Sequence, residues 1–208
     1  MSARELRRQQ DRLLLEALVE RSKASLSLTS DFAPSSDRFT LNLALPTAAN
    51  QFYPAQVQTN CALEIVVPFR YPFEPPLARC LSSIWHPNVF ANGNVCLGTR
   101  WQASEGLDLF VARVARLLIF DPLLVNLNSA ANQAAARWYR QALAASPQSF
   151  PTVQAHVSHW LRDPRGVNPA VARVQVKCPS CQKTLGLPSG RQGLVRCPQC
   201  RQDFEAST

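Results

Sequence analysis

Seven cysteines carry most of the reactive potential of this 208-residue chain, and four of them stand as Cys178-Pro-Ser-Cys181 and Cys197-Pro-Gln-Cys200. Each pair brings two thiolates to one side of a tight turn, and two such turns fifteen residues apart close a tetrahedron of sulfur around one ion. Cysteine fills every corner and leaves no place for water, so the chemistry indicated is one structural zinc in a ribbon. Of the other three, Cys61 and Cys80 read as small buried hydrophobes. Cys96 follows Trp85-His86-Pro87-Asn88-Val89 and Asn92-Gly93-Asn94-Val95 in a stretch with neither helical nor strand period. Passing an acyl group between proteins as a thioester needs a thiol that attacks well and leaves well, and a cysteine on exposed irregular backbone serves both roles. No serine or histidine pair with hydrolase spacing surrounds Cys96, which argues for transfer over proteolysis. Asn88 carries an amide suited to donate to an oxyanion, the role favoured here, or to hold the irregular stretch in shape. His86 reads as a structural residue rather than a general base. His156 and His159 have no evident third ligand.

These residues need a scaffold. From Ser2 to Ser22 apolar residues recur at three- and four-residue spacing, with Leu6, Leu13 or Leu14, Ala17 and Leu18 marking the buried side of an opening helix. Short extended runs follow at Ser25–Thr29, Arg38–Leu45 and Ala62–Val67, with a fourth at Ala78–Leu81. Strands in succession without intervening helices predict an antiparallel meander. A helix is expected over Leu107–Phe120, stopped by Asp121-Pro122. Asn128 or Ser129 is expected to cap another through Leu143, with Trp138 on its buried side, and Pro151 to open a last one ending near Leu161. No internal repeat or low-complexity tract stands out.

From Tyr71 to Trp101 the chain resembles the ubiquitin-conjugating enzyme family. The Tyr71-Pro72-Phe73-x-Pro75-Pro76 corner, the His86-Pro87-Asn88 tripeptide, the eight-residue step from Asn88 to Cys96 and the Gly93-x-Val95-Cys96-Leu97 surround match that family's pattern in order. The resemblance implies an α+β class, with the ubiquitin-conjugating-enzyme-like fold over residues 1–162; the Asp163–Asn168 turn residues mark a linker over 163–175, and the paired cysteines mark the zinc ribbon over 176–208. It implies that Cys96 accepts a ubiquitin-like modifier from an activating enzyme and passes it to an amine of a target protein. It also implies that His86 organises the backbone and that a polar residue on the loop after the long helix orients the incoming lysine; Asp121 and Asn126 both stand as candidates. Only four residues separate Cys96 from Trp101. That spacing resembles the compact bacterial relatives of the family, some of which belong to antiviral operons.

The apolar fraction of 46% and charged fraction of 17% exclude wholesale disorder. The most apolar runs fall short of the ~20 residues that span a bilayer, so no membrane segment is expected and the chain reads as cytoplasmic. The net charge of +8 is concentrated in residues 161–208, which hold eight Lys or Arg against three acids. Lys177, Lys183, Arg191, Arg196 and Arg201 make the ribbon surface a candidate for an acidic partner or nucleic acid. Two alternatives to an enzyme remain: a non-catalytic adaptor for a ubiquitin-like protein, and a zinc-ribbon nucleic-acid binder.

Overall fold

Helix α1 (Ala3–Arg21) is built from good helix formers with no internal Gly or Pro. Its buried stripe overlaps the one the leucine spacing suggests: Leu18 is buried and Leu14 and Ala17 are half-buried, but Leu15 is buried with Arg8, Asp11 and Ser22, whereas Leu6 and Leu13 stand out in solvent. The continuous Leu13-Leu14-Leu15 run fits more than one face, and the bonds of Asp11 decide between them. Asp11 accepts from Arg7 Nε at 2.8 Å, from the Tyr71 hydroxyl at 2.6 Å and from the Leu107 backbone N–H at 3.2 Å. A carboxylate with three donors can be buried at little cost, where an unpaired one could not. The structure, a computed structural model, describes residues 3–29, 36–98, 101–150, 156–157, 160, 173–188 and 192–207. The expected helix from Pro151 to Leu161, His159 and most of the expected linker lie largely or wholly outside those residues.

Strands β1 (Leu26–Leu28), β2 (Arg38–Leu43), β3 (Cys61–Val66) and β4 (Leu77–Cys80) form an antiparallel sheet in the order β1-β2-β3-β4. Phe39, Leu41 and Leu43 of β2 face Ile65, Leu63 and Cys61 of β3, and every one of them is buried. Alternation with a period of two thus puts one face of the sheet into the core, at about 1.5–3 kcal/mol for each large apolar side chain. Cys61 and Cys80 belong to that core as expected.

Helix α2 (Leu107–Leu118) packs Leu107, Phe110, Val111, Val114 and Leu118 into the same core. It ends two residues earlier than expected. Phe120 adopts φ 62°, its N–H donates to Leu117 O at 2.9 Å, and the N–H of Asp121 donates to Arg116 O at 3.0 Å. This is a Schellman closure, with phenylalanine at the left-handed position that glycine usually takes. Helix α3 (Gln133–Ala145) is capped by Asn132, whose side chain accepts from Ala135 N–H, and not by Asn128 or Ser129. Asn128 and Ser129 instead donate backbone N–H groups to Asn126 Oδ1, closing a side-chain turn that delays the helix. Tyr139 is the fully buried aromatic of α3; Trp138 is half-buried, against a second cluster around Phe120. A 3-10 turn, Pro147–Ser149, follows.

Contacts divide the chain into two units, Met1–Leu161 and Arg162–Thr208. The second holds two antiparallel hairpins, β5 (Arg173–Lys177) with β6 (Thr184–Pro188) and β7 (Gln192–Arg196) with β8 (Asp203–Ser207). β5 begins three residues inside the stretch read as linker. The hairpins are offset by nineteen residues throughout, Arg173 to Gln192 and Thr184 to Asp203, so the unit is an internal repeat, contrary to expectation. Val176-Lys177-Cys178-Pro179 against Val195-Arg196-Cys197-Pro198 is its sequence trace. Among the described residues, no helix is long and apolar enough to cross a membrane.

Candidate functional site

The segment bearing Cys96 is fastened along the outer edge of β4. Cys80 N–H donates to Gly93 O at 2.8 Å and Val95 N–H to Ala78 O at 2.9 Å. Gly93 is required there: its φ is 86°, and a Cβ would stand 2.3 Å from the Cys80 carbonyl oxygen. Val95 and Leu97 pack against the main core and leave Cys96 half-buried between them. Beside it lies a cleft of about 170 Å³ lined by Pro76, Leu77, Val95, Leu97, Trp101 and Phe110. Trp101 is anchored by an Nε1–H bond to Pro72 O at 2.6 Å, which ties the far side of the cleft to the proline-rich corner.

Asn88 is the centre of the hydrogen-bonding network. It is buried, its carbonyl accepts from Cys96 N–H at 2.8 Å, and its Nδ2 donates to Cys96 O at 2.9 Å. Its Oδ1 accepts from the Asn126 backbone N–H at 3.0 Å. The side chain therefore joins the Cys96 segment to the loop after α2. One Nδ2 proton is engaged on Cys96 O, and the amide carries a second.

His86 is fully buried, and its Nδ1 accepts from Asn88 N–H at 3.0 Å. Burial pushes its pKa down to about 3, opposed by the Leu117 carbonyl facing the ring. An imidazole so placed stays neutral and spends its acceptor on backbone, which fits the structural reading. The two loop candidates separate here. Asp121 is buried, with one carboxylate oxygen accepting from Arg116 and the other from Leu123 N–H at 3.0 Å. Asn126 is half-buried and shares the network of Asn88, and its Nδ2 lies 3.9 Å from where a Cβ on Gly98 would stand. The structure thus joins Cys96, Asn88, His86 and Asn126 through shared bonds, while Asp121 serves the turn beneath them. Spacing alone could not make that choice, because it depends on which side chain an arginine has already claimed.

In the second unit, the sulfurs of Cys178, Cys181, Cys197 and Cys200 all lie within 4.8 Å of one another. Cys178 to Cys200 and Cys181 to Cys197 are both 3.6 Å apart. Zinc bonded tetrahedrally to sulfur at ~2.3 Å sets neighbouring sulfurs roughly 3.8 Å apart, so the donor set fits such an ion. Both knuckles turn alike, with Gln182 at φ 61° and Arg201 at φ 60°. Backbone N–H groups of Cys200 and Gln199 directed at Cys197 pull its thiol down, whereas burial and the neighbouring sulfurs push Cys181 and Cys200 up, so the fit to an ion rests on the sulfur geometry.

The family model described as ubiquitin-conjugating enzyme matches residues 14–150. The chain belongs to the ubiquitin-conjugating enzyme family. It is 33% identical over 78 residues to "Ubiquitin-conjugating enzyme E2 T" of Mus musculus, covering 32% of this chain and 38% of that protein. Over 74 residues it is 40% identical to "Ubiquitin-conjugating enzyme E2 2" of Mycosarcoma maydis, covering 34% of this chain and 38% of that protein. The matches therefore span about two-fifths of these relatives' length. In structure it is similar to "S. cerevisiae Ubc12", with a TM-score of 0.51 at 23% identity, covering 74% of this chain and 77% of that one, a likeness of fold. The ubiquitin-conjugating-enzyme-like fold of the N-terminal unit is thereby shown, and the four-cysteine cluster is compatible with a small zinc ribbon.

Proposed function

We propose that the N-terminal unit accepts a ubiquitin-like modifier from an activating enzyme as a thioester on Cys96 and passes it to an amine, a lysine of a target protein. The observation that carries this reading is the half-buried thiol of Cys96, on a segment whose backbone is held by other groups: Gly93, Val95 and Asn88. In the first step the Cys96 sulfur attacks the incoming thioester carbonyl, a new C–S bond forms, and the activating enzyme's thiol is released. In the second the amine nitrogen attacks the same carbonyl, the C–N bond forms, the C–S bond breaks, and the proton lost by the amine returns to the departing sulfur. Asn88 holds Cys96 against the loop of Asn126, and its second Nδ2–H is the donor available to the oxyanion. Asn126, rather than Asp121, is the residue we assign to the approach of the amine. An adaptor lacking chemistry would not need the thiol at position 96, and among the described residues no exposed aromatic flanks the ribbon arginines to favour nucleic acid.

We assign Cys178, Cys181, Cys197 and Cys200 to one structural zinc, which supplies the folding energy of a unit too small to bury a large core. The deciding experiment incubates the full chain with ubiquitin, a ubiquitin-activating enzyme and ATP, and resolves the products on a non-reducing gel. A thiol-sensitive adduct that vanishes in Cys96→Ala and persists in Cys61→Ala and Cys80→Ala is expected. The same adduct in Cys96→Ala overturns the assignment. Absence of any adduct with ubiquitin, but formation with another ubiquitin-like protein and its activating enzyme, redefines the modifier only.

A further inference from the structure

Phe120 combines two features that need a joint explanation. Its backbone sits at φ 62°, a conformation disfavoured for any side chain with a Cβ and that glycine would adopt freely. Its side chain, almost fully buried, is the hub of an aromatic cluster. It stacks on Tyr139 at 5.1 Å and 14°, meets Phe150 edge-on at 5.1 Å, and lies 5.9 Å from Tyr53. On its other side the ring centroid is 4.6 Å from that of His86. A local cost of this kind persists where the surroundings over-determine it.

We propose that Phe120 is a positioning residue for the aminolysis step, acting through His86. The proposal rests on the thioester reading of Cys96. Two routes converge on His86 from the end of α2. The Phe120 ring lies against the imidazole, and the Leu117 carbonyl that receives the Phe120 N–H also faces it. His86 Nδ1 then fixes the backbone of Asn88, and Asn88 fixes both Cys96 O and the N–H of Asn126. Phe120 also stands next to Asp121, whose carboxylate opens the loop that delivers Asn126. The left-handed closure thus sends the chain on into the Asn126 loop while placing a ring under the tripeptide that carries Asn88. The two arms that Asn88 bridges share one origin. Glycine at this position would close the helix with less strain and leave His86 without its supporting face.

Phe120→Gly separates the two contributions, since it keeps the left-handed closure and deletes the ring. Phe150→Leu is the control: it removes a ring from the same cluster that is in contact with Phe120, and no aromatic pairing joins it to His86. Preformed ubiquitin thioester on the full chain is discharged to free lysine in single turnover. In parallel, the His86 ring nitrogens and the Asn88 backbone and side-chain amides are followed by nitrogen-15 NMR on the uncharged protein. Phe120→Gly is expected to slow discharge at least tenfold with thioester formation changed less than about twofold, as small misplacements of reacting groups cost that much. The His86 and Asn88 resonances are expected to shift in Phe120→Gly and to stay in place in Phe150→Leu, whose discharge is unaltered. Unaltered discharge in Phe120→Gly overturns the proposal, as does a discharge defect with the His86 and Asn88 signals unmoved. A discharge defect of equal size in Phe150→Leu assigns the effect to bulk packing and overturns it too. If the wild-type chain forms no thioester with ubiquitin or with any other ubiquitin-like protein offered with its activating enzyme, the Cys96 reading fails by that result alone. The NMR comparison still decides whether Phe120 sets the geometry of His86 and Asn88.

Discussion

Both units of this chain carry cysteines on irregular backbone, and they hold that backbone by opposite means. Around Cys96 the main chain is fixed by Gly93 and Val95 on β4, by Asn88, and by the core contacts of Val95 and Leu97. The thiol bears no structural load. In the ribbon Leu185, Val195 and Phe204 are only half-buried, while Cys178 and Cys197 are among its most buried residues. There the sulfurs are the core. A thiol is left free to react where other groups hold the chain, and is consumed where it holds the chain itself.

That contrast fails if the two kinds of cysteine can be exchanged in their effects. The largest effect expected is from Cys96→Ala, which should abolish the reducible ubiquitin adduct while thermal unfolding of the N-terminal unit and metal content stay as in the wild type. Cys178→Ser should do the reverse. Structural zinc contributes roughly 10–16 kcal/mol of binding free energy, so the second unit should lose its metal and its fold while thioester formation survives. Metal analysis beside the gel assay checks both, and loss of charging in Cys178→Ser breaks the comparison.

Asn88→Ala sharpens it next. Loss of an oxyanion donor costs ~10²–10³ in rate, so discharge to lysine should fall by about that factor and by more than charging does. A donor role alone would leave the melting temperature little changed. The two side-chain bonds of Asn88 instead predict a loss of about 2 kcal/mol, readable as a lower melting temperature. Equal defects in charging and discharge leave Asn88 a structural role only. Gly93→Ala pushes a Cβ into the Cys80 carbonyl and should destabilise the N-terminal unit by ~1–3 kcal/mol, measured by denaturant unfolding.

The most gradual effect is a slope with pH. Folded His86 remains neutral down to about 3, while the unfolded chain takes up that proton near 6.5. Between those values the unfolded state binds more protons, so stability is full above 6.5 and falls on acidification by at most about 1.4 kcal/mol per pH unit. His86→Gln should flatten that part of the acid profile. A slope unchanged in that variant removes His86 as its source.

Much of this was legible in the chain. The step from Asn88 to Cys96, the Tyr71–Pro76 corner and the two C-x-x-C pairs placed the sites, and alternation along Arg38–Leu43 placed the strands, because those signals are local. What escaped reading depended on partners far away in sequence. Leucine spacing places Leu18 inside but misses that Leu15 is buried and Leu6 exposed, because Asp11 finds its donors at Tyr71 and Leu107. The cap of α3 was displaced because Asn126 takes the N–H groups of Asn128 and Ser129. Phe120 at φ 62° contradicts residue preference outright, and only the rings around it account for it. The nineteen-residue repeat is faint in the sequence, since two of its matching positions, Cys178 with Cys197 and Cys181 with Cys200, are equally explained by metal binding.

One consequence concerns the order of folding. Gly106, at the start of α2, offers no side chain to the helix, and the first N–H, that of Leu107, is received by Asp11, 96 residues earlier in the chain. The cap is therefore a long-range contact, absent from any isolated α2 segment and formed only after a loop of that size has closed. Local help at this end comes from Asp108 in the first turn, while the acceptor for the first N–H comes from a distant element. Asp11 substitutions should accordingly act late, speeding unfolding more than they slow folding, with φ-values near zero at a position that is fully buried in the native state.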